Sequence, residues 1–346
     1  MRLRYPVAVL AVTVAAACSD QPTGPSQQQP APLQGMLAGA MRVQDRNTPQ
    51  LFQVPGVVGT ATSLDPAGRP VIVVLSKSTD VSGIPGALEG VPVTVLITGE
   101  FHALSTVAAP PPKPKGKGTR LTSLLRPAPN GASVGNNLEC AAGTLGTGVI
   151  IAGQTYALSN NHVFARQNAA AIGEVIVQPG RFDSKPRCAD MTPASQLGTL
   201  ADFQPIDFSA TGSNTIDAAV AITTTAITCA TPAGFYGSPA VTPVAASVGL
   251  PIQKVGRTSG LTTGSVAMIN ATVNVDYGGG RIAKFVSQVV TTPGISKAGD
   301  SGSLIVTNDA AANPVALLFA GSADGTTIGN PIGPVLSRFN ATICHV

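Results

Sequence analysis

Beyond residue 136 the chain repeats one pattern, a short apolar run closed by a turn of Gly, Pro, Asn or Ser. The runs are Val149 to Ala152, Tyr156 to Ser159, Val175 to Gln178, Ile216 to Ile222, Ser265 to Ile269, Phe285 to Val290, Ser303 to Val306 and Val315 to Ala320. No apolar repeat of helical period joins them, so strands of a sandwich or of a barrel pair are predicted, and a mainly β protein with them. Solenoid periods are absent.

The N-terminal half alternates differently. Val57 to Ala61, the turn Asp65-Pro66-Ala67-Gly68 and Val71 to Leu75 predict two strands, Ile84 to Leu88 a helical turn, and Val93 to Ile97 a further strand. Together they predict a small α/β domain over 54–106. A Pro/Lys-rich linker over 107–135 follows, marked by Pro110-Pro111-Pro112, alternating Lys and Pro, then Pro127 and Pro129. The domain ahead of it is either a pro-segment that assists folding or blocks a cleft, or a spacer or docking module.

The first eighteen residues carry Arg2 and Arg4, an apolar stretch Val7 to Ala17 and the ending Ala15-Ala16-Ala17-Cys18, the signature of an export signal. Ala-Ala-Ala-Cys resembles a bacterial lipobox, in which Cys18 becomes the lipidated amino terminus and anchors the protein to a membrane. An ordinary Ala-x-Ala cleavage site is the alternative and releases a soluble protein. The expected place is therefore the cell envelope, on the periplasmic or outer-membrane side, or else the medium. Residues 19–53, rich in Gln, Pro and Ser at their start, are expected to be a flexible tether.

Composition narrows the class. The apolar fraction is 44%, and 38 Gly and 29 Pro suit many short strands rather than long helices. The net charge of +4 is modest, and the densest basic run, Lys113, Lys115, Lys117 and Arg120, is interleaved with Pro and Gly instead of aromatic residues, so no nucleic-acid partner is expected. Apart from Cys18 there are four cysteines, Cys140, Cys188, Cys229 and Cys344, an even number in an exported chain, which predicts two disulfides whose pairing stays open. Close Cys-x-x-Cys pairs are missing, so no zinc or other metal is expected.

Acyl transfer to water needs a nucleophile, a base, a group that holds the base in one tautomer, and donors for the oxyanion. Gly299-Asp300-Ser301-Gly302-Ser303 sets a serine between glycines on a turn, with the N–H groups of Gly299 and Ser301 as candidate oxyanion donors. Of the three histidines, His102 precedes the linker and His345 is penultimate, leaving His162 after the run Tyr156 to Ser159. Asp217 interrupts the apolar run Thr215 to Ala221, where a carboxylate needs a partner to offset desolvation.

Ser159-Asn160-Asn161-His162-Val163, Ile216-Asp217-Ala218-Ala219-Val220 and Gly299-Asp300-Ser301-Gly302-Ser303 resemble the three triad segments of trypsin/chymotrypsin-like serine proteases, in that family's order. Lys254-Val255-Gly256-Arg257-Thr258-Ser259-Gly260-Leu261-Thr262-Thr263-Gly264 is similar to the plant narrow-leaf proteins and their bacterial trypsin-like relatives. The resemblance, over about 136–346, implies a chymotrypsin-like double six-stranded β-barrel, with His162 and Asp217 from the first barrel and Ser301 from the second. It implies a serine endopeptidase acting on protein or peptide substrates with no cofactor. The alternative is an inactive, lipid-anchored binding or scaffold protein on the same fold. Counted back from Ser301, the specificity pocket has its floor near Ile295 and a wall of Phe319, Ala320 and Gly321, which predicts preference for an apolar residue before the scissile bond. Two departures stand out. No Ile-Val-Gly-Gly start exists to supply Asp300 with a new amino terminus, and Phe319 stands where many relatives have a serine that supports the triad aspartate.

Overall fold

The computed structural model describes residues 31–104 and 119–346; Cys18, where lipidation is expected, and the Pro/Lys-rich stretch 105–118 lie outside the described residues. The mainly β expectation holds, with the strands gathered into two sheets. Helix α1 (Ala31–Leu51) comes first, where a tether is expected. Its residues are mostly good helix formers, and Leu37, Ala40, Gln44, Thr48 and Leu51 recur every three or four positions as a buried stripe. That stripe packs on β1 (Val57–Leu64) and β2 (Pro70–Ser76), and Gln44 crosses the contact, donating to the Asn270 carbonyl at 2.8 Å and accepting from Thr62 Oγ1 at 2.7 Å. Helix propensity alone rarely holds such a segment in water; the tertiary contact supplies the rest.

β3 (Ala87–Leu88), β4 (Val91–Ile97) and β5 (Phe101–Ala103) follow. Ile84 to Leu88 forms no helical turn but ends in the short strand β3. The eight-stranded sheet is built from β6 (Ser133–Asn136), β7 (Gly143–Thr144), β8 (Thr147–Ile151), β9 (Gln154–Ser159), β10 (Val175–Val177), β11 (Gln196–Phe203) and β12 (Ala219–Thr223). Between β9 and β10 lies the one-turn helix α2 (Asn161–Phe164). The expected linker ends earlier than residue 135: Ala128, Ala132 and Val134 are fully buried in this sheet's core, because apolar residues outnumber the prolines there.

The other sheet contains β13 (Pro251–Gly256), β14 (Gly260–Asp276), β15 (Ile282–Thr291), β16 (Leu304–Thr307), β17 (Pro314–Ser322) and β18 (Thr327–Pro331). These six close into a ring in the order β13-β16-β17-β18-β15-β14, since β14 is long enough to pair with β15 along one part and β13 along another. Helix α3 (Ile332–Phe339) then leads to β19 (Thr342–Ile343), which completes the eight-stranded sheet beside β8. Ile332, Val335, Leu336 and Phe339 on α3 share one core with Leu158 and Val220 of one sheet and Leu304, Val306 and Leu317 of the other. The two sheets are thereby clamped with their facing loops together.

The segment 54–106 is not a free-standing unit. β1 runs antiparallel to β14, with Gly59 opposite Val273, and a side chain at Gly59 would meet the Thr272 carbonyl at 2.8 Å, so the glycine permits the approach. Ala61, Val73, Leu75 and Phe101 enter the same core as Val273, Phe285 and Phe319. Two disulfides join Cys140 to Cys188 and Cys229 to Cys344, settling the pairing. Among the described residues no helix is long and apolar enough to cross a membrane.

Candidate active site

His162 lies in α2, directly after β9, and Asp217 stands two residues before β12, in the loop leading into that strand instead of within it. β9 and β12 are paired, Ser159 facing Ala219, so the two side chains issue from the same end of neighbouring strands. His162 Nδ1 and Asp217 Oδ2 are 2.5 Å apart, and the His162 backbone N–H donates to Oδ1 at 3.2 Å. Neither side chain is exposed. The aspartate is further fixed through its backbone: Asn160 donates to its carbonyl at 2.7 Å, and its N–H donates to Asn330 at 3.0 Å.

Tyr277, which none of the motifs singles out, donates from its hydroxyl to Asp217 Oδ2 at 2.8 Å and packs edge-on to the His162 ring. Burial, then the Asp217 charge and the hydrogen bond to it, push the Tyr277 hydroxyl well above its ordinary range, so it remains a donor. The support that Phe319 cannot give thus arrives from the turn after β14. The nearest sequence signal is the run Asp276-Tyr277-Gly278-Gly279-Gly280, an aromatic residue beside a glycine-rich turn.

Ser301 comes from the other sheet, on the turn before β16. Gly299 and Gly302 flank it at φ 95° and 92°, a region in which a side chain is strained. Gly302 must also be bare because a Cβ would collide with the Thr144 carbonyl and Ser159 Oγ. The Ser301 carbonyl accepts from Thr144 N–H at 2.7 Å, and Thr144 Oγ1 donates to the Gly299 carbonyl at 2.9 Å, so β7 holds the serine turn against the His162 side of the cleft. Ser301 Oγ donates to the Phe319 carbonyl at 3.1 Å, while His162 Nε2 is buried without a partner. Orphaned buried polar atoms are rare and call for an explanation.

The Lys254 to Gly260 motif acquires a role here. Asp300, beside the serine, is wholly buried and meets Lys254 Nζ at 2.9 Å, Ser259 Oγ at 2.5 Å, and the N–H groups of Thr258 at 2.9 Å and Lys297 at 3.0 Å. Burial alone would raise its carboxyl, but the Lys254 charge and these donors outweigh it and hold the group below its ordinary value. Asp300 is thus paired with a lysine of the chain itself. Arg257 continues the clamp, gripping Asp183 with two nitrogens, Nε at 2.8 Å, while its N–H donates to Thr144 Oγ1 at 3.1 Å.

The expected pocket residues divide. Ile295 is buried in a cluster with Leu250, Ile252 and Val266, and Gly321 borders the same space. The side chains of Phe319 and Ala320 do not line it: a bulge between Leu318 and Ala320 turns both into the opposite core, where the Phe319 ring lies 4.6 Å from that of Phe285. Phe319 offers only its carbonyl to the cleft. His102 and His345 lie apart from the cluster, His102 on β5 near Asp276 and His345 against Pro239. Among the described residues no group of three acidic, His or Cys side chains is arranged to hold a metal.

No family model matches the chain. Over 102 residues it is 36% identical to Streptogrisin-A of Streptomyces griseus, a stretch covering 28% of this chain and about a third, 32%, of that relative's length. Among solved structures it is similar to Thermobifida fusca Protease A, with a TM-score of 0.44 and 19% identity, over 63% of this chain and 98% of the other. Cellulomonas bogoriensis chymotrypsin gives a TM-score of 0.43 and 18% identity over 63% and 98%. The relatives that this chain resembles are proteases of the trypsin- and chymotrypsin-like kind.

Proposed function

We infer that this chain is a serine endopeptidase, with Ser301 as nucleophile, His162 as general base and then acid, and Asp217 as the group that orients the imidazole. The observation that carries the reading is the buried His162–Asp217 contact of 2.5 Å, whose free imidazole nitrogen lacks a partner beside a glycine-flanked serine. With Asp217 accepting from Nδ1–H, Nε2 is the basic nitrogen. Ser301 Oγ turns from the Phe319 carbonyl to Nε2, gives up its proton and bonds to the substrate carbonyl carbon. The Gly299 and Ser301 N–H groups receive the oxyanion, His162 returns the proton to the leaving amine, and water cleaves the ester by the same route in reverse.

The Lys254–Asp300 pair supports a standing oxyanion loop, so the reading needs no amino-terminal insertion to form it. The finer likeness of Lys254 to Gly264 to the narrow-leaf proteins and their bacterial relatives belongs to this reading. Two disulfides fit an exported protein, and Cys18 is the proposed lipid anchor, with the envelope as the site of action on protein or peptide substrates.

The test is hydrolysis of a panel of chromogenic peptides by the purified chain and by Ser301→Ala. Turnover that vanishes in the variant is expected; a variant as active as the parent refutes the assignment. Tyr277→Phe is expected to lower kcat by about 10-fold with KM little changed, the effect of one lost hydrogen bond to a charged group. An unchanged kcat would show that the hydroxyl does not support Asp217.

A further inference from the structure

The cleft already holds a peptide, and it belongs to the same chain. β5 runs antiparallel to β17, with Phe101 opposite Ser322, His102 opposite Gly321 and Ala103 opposite Ala320. Leu104 N–H donates to the Phe319 carbonyl at 3.1 Å, and the Leu104 carbonyl accepts from Gly299 N–H at 2.7 Å. Gly299 N–H is the group that the hydrolytic reading assigns to the oxyanion. Leu104 packs against the cluster formed by Leu250, Ile252 and Ile295, and its two methyl carbons lie 3.2 and 3.5 Å from where a Cβ on Gly321 would stand. Phe101 is anchored in the core beside Phe285 and Phe319, and His102 pairs with Asp276 at 3.5 Å. Under this cover Ser301 is fully buried and His162 2% exposed, so no external protein reaches the serine until the segment leaves.

A strand that served only to fill the sheet would have no reason to set the Leu104 carbonyl on the oxyanion donor and the Leu104 side chain against the apolar cluster. We propose that Phe101–Leu104 is bound as a substrate, that Ser301 cleaves the peptide bond on the carboxyl side of Leu104 in its own chain, and that this occupancy defines the site as one selecting leucine-like residues before the scissile bond. The inference rests on the hydrolytic reading of Ser301.

The step balances as ordinary peptide hydrolysis. Ser301 Oγ bonds to the Leu104 carbonyl carbon as its proton passes to His162 Nε2. The carbon–nitrogen bond breaks, its electron pair stays on the nitrogen, and His162 protonates that amine. Water then loses a proton to His162, its oxygen bonds to the carbonyl carbon, and Ser301 leaves with the proton returned. One water is consumed, giving a carboxylate on Leu104 and a new amino terminus on the next residue. The product carboxylate stays on Gly299 N–H, so a cut chain is still latent until residues 31–104 separate from β14 and β17. Helix α1 and strand β2 pack on β1, which pairs with β14, and so hold the segment in place, which accounts for an N-terminal region built into the catalytic sheet.

The experiment uses the full chain, as parent, Ser301→Ala and Leu104→Asp. Intact mass and N-terminal sequencing of the parent are expected to show a cut after Leu104, with the larger fragment beginning Ser-Thr-Val-Ala, while Ser301→Ala stays whole. Leu104→Asp is expected to be cut at least about 100-fold more slowly, since its carboxylate would be set against an apolar cluster. Because that variant alters the packing of the full chain, a synthetic peptide of residues 100–108 is assayed in trans. Cleavage between its Leu and Ser is expected, with a similar loss when Asp replaces the Leu, and inhibition by the product ending in Leu. A parent that hydrolyses other peptides or takes a fluorophosphonate on Ser301, yet stays uncut after Leu104 and ignores this peptide, overturns the proposal alone. A parent that stays uncut and shows neither activity nor label, with folded Leu104→Asp equally unreactive, overturns the hydrolytic reading as well.

Discussion

Asp217→Asn is expected to lower kcat by about four orders of magnitude while leaving the fold intact. An asparagine there keeps the shape of the carboxylate; with its oxygen in the Oδ1 position it still accepts from the His162 backbone N–H, and its amide nitrogen, in the Oδ2 position, faces His162 Nδ1 and the Tyr277 hydroxyl, to each of which it can donate. It cannot accept from His162 Nδ1 if its amide faces the ring. The amide then donates to Nδ1, and the ring proton moves to Nε2, the nitrogen that has to receive the serine proton. The base is present but in the wrong tautomer. Steady-state turnover of a leucine-type peptide, with circular dichroism to show an unaltered fold, checks this; loss of less than about 10-fold would mean that Asp217 does not set the tautomer. Removing a buried charge whose partners are retained should change stability little, which separates this variant from the next.

Lys254→Met is expected to cost both activity and stability. The ammonium group is wholly buried with Asp300, and taking away one partner leaves the other charged and without its counter-ion, a loss of about 3–5 kcal/mol for pairs of this kind. Against the roughly 5–15 kcal/mol by which domains are stable, that is a large share. Asp300 orders the turn from Lys297 to Ser303, so the oxyanion donors lose their positions as the pair breaks. A thermal melt and the same peptide assay are the readouts. The double variant Lys254→Met with Asp300→Asn is expected to recover a good part of the stability, because no unpaired charge remains; the difference from additivity measures the pair. Acid adds a signed test. Asp300 is held below the ordinary carboxylate value near 3.9, so its contribution is complete above that value and fades only as pH falls through its lower folded pKa. Lys254→Met removes the largest effect that lowers Asp300 and leaves burial, which raises it, so the variant holds less Asp300-linked stability for acid to remove and its deficit against the parent should narrow as pH falls. A melt curve and acid limb identical to the parent's would contradict the clamp.

Much of this architecture is legible in the chain itself. Alternating or continuous apolar runs such as Tyr156 to Ser159 and Phe285 to Val290 mark strands because β-branched and aromatic residues fit a pleated surface. The mainly β class follows from them, and two disulfides follow from four cysteines behind an expected export signal. Asp217 illustrates where pattern stops: its apolar neighbours look like one strand, but the residue lies in the loop before β12, its carboxylate held by Tyr277 and His162 and its backbone N–H by Asn330, from three other segments. Helix α1 is invisible for a similar reason. Its buried face includes Gln44 and Thr48, polar residues satisfied by Thr60, Thr62 and the Asn270 carbonyl, so no apolar stripe announces it. Lys254 and Asp300 are 46 residues apart and reveal their pairing only once β13 and the serine turn adjoin. The same holds for Leu104, an unremarkable residue in sequence, whose meaning comes from the strand β17 beside it.

The most direct measurement of the central claim is reaction of the purified chain with a fluorophosphonate, followed by peptide mass mapping. Leu104→Asp is run alongside, because weakening the hold of Phe101–Leu104 uncovers Ser301. A single adduct on Ser301, faster in Leu104→Asp than in the parent and abolished in Asp217→Asn, is the predicted result. An adduct on another residue, or none on either folded chain, would contradict the assignment of Ser301, His162 and Asp217 as a working hydrolytic site.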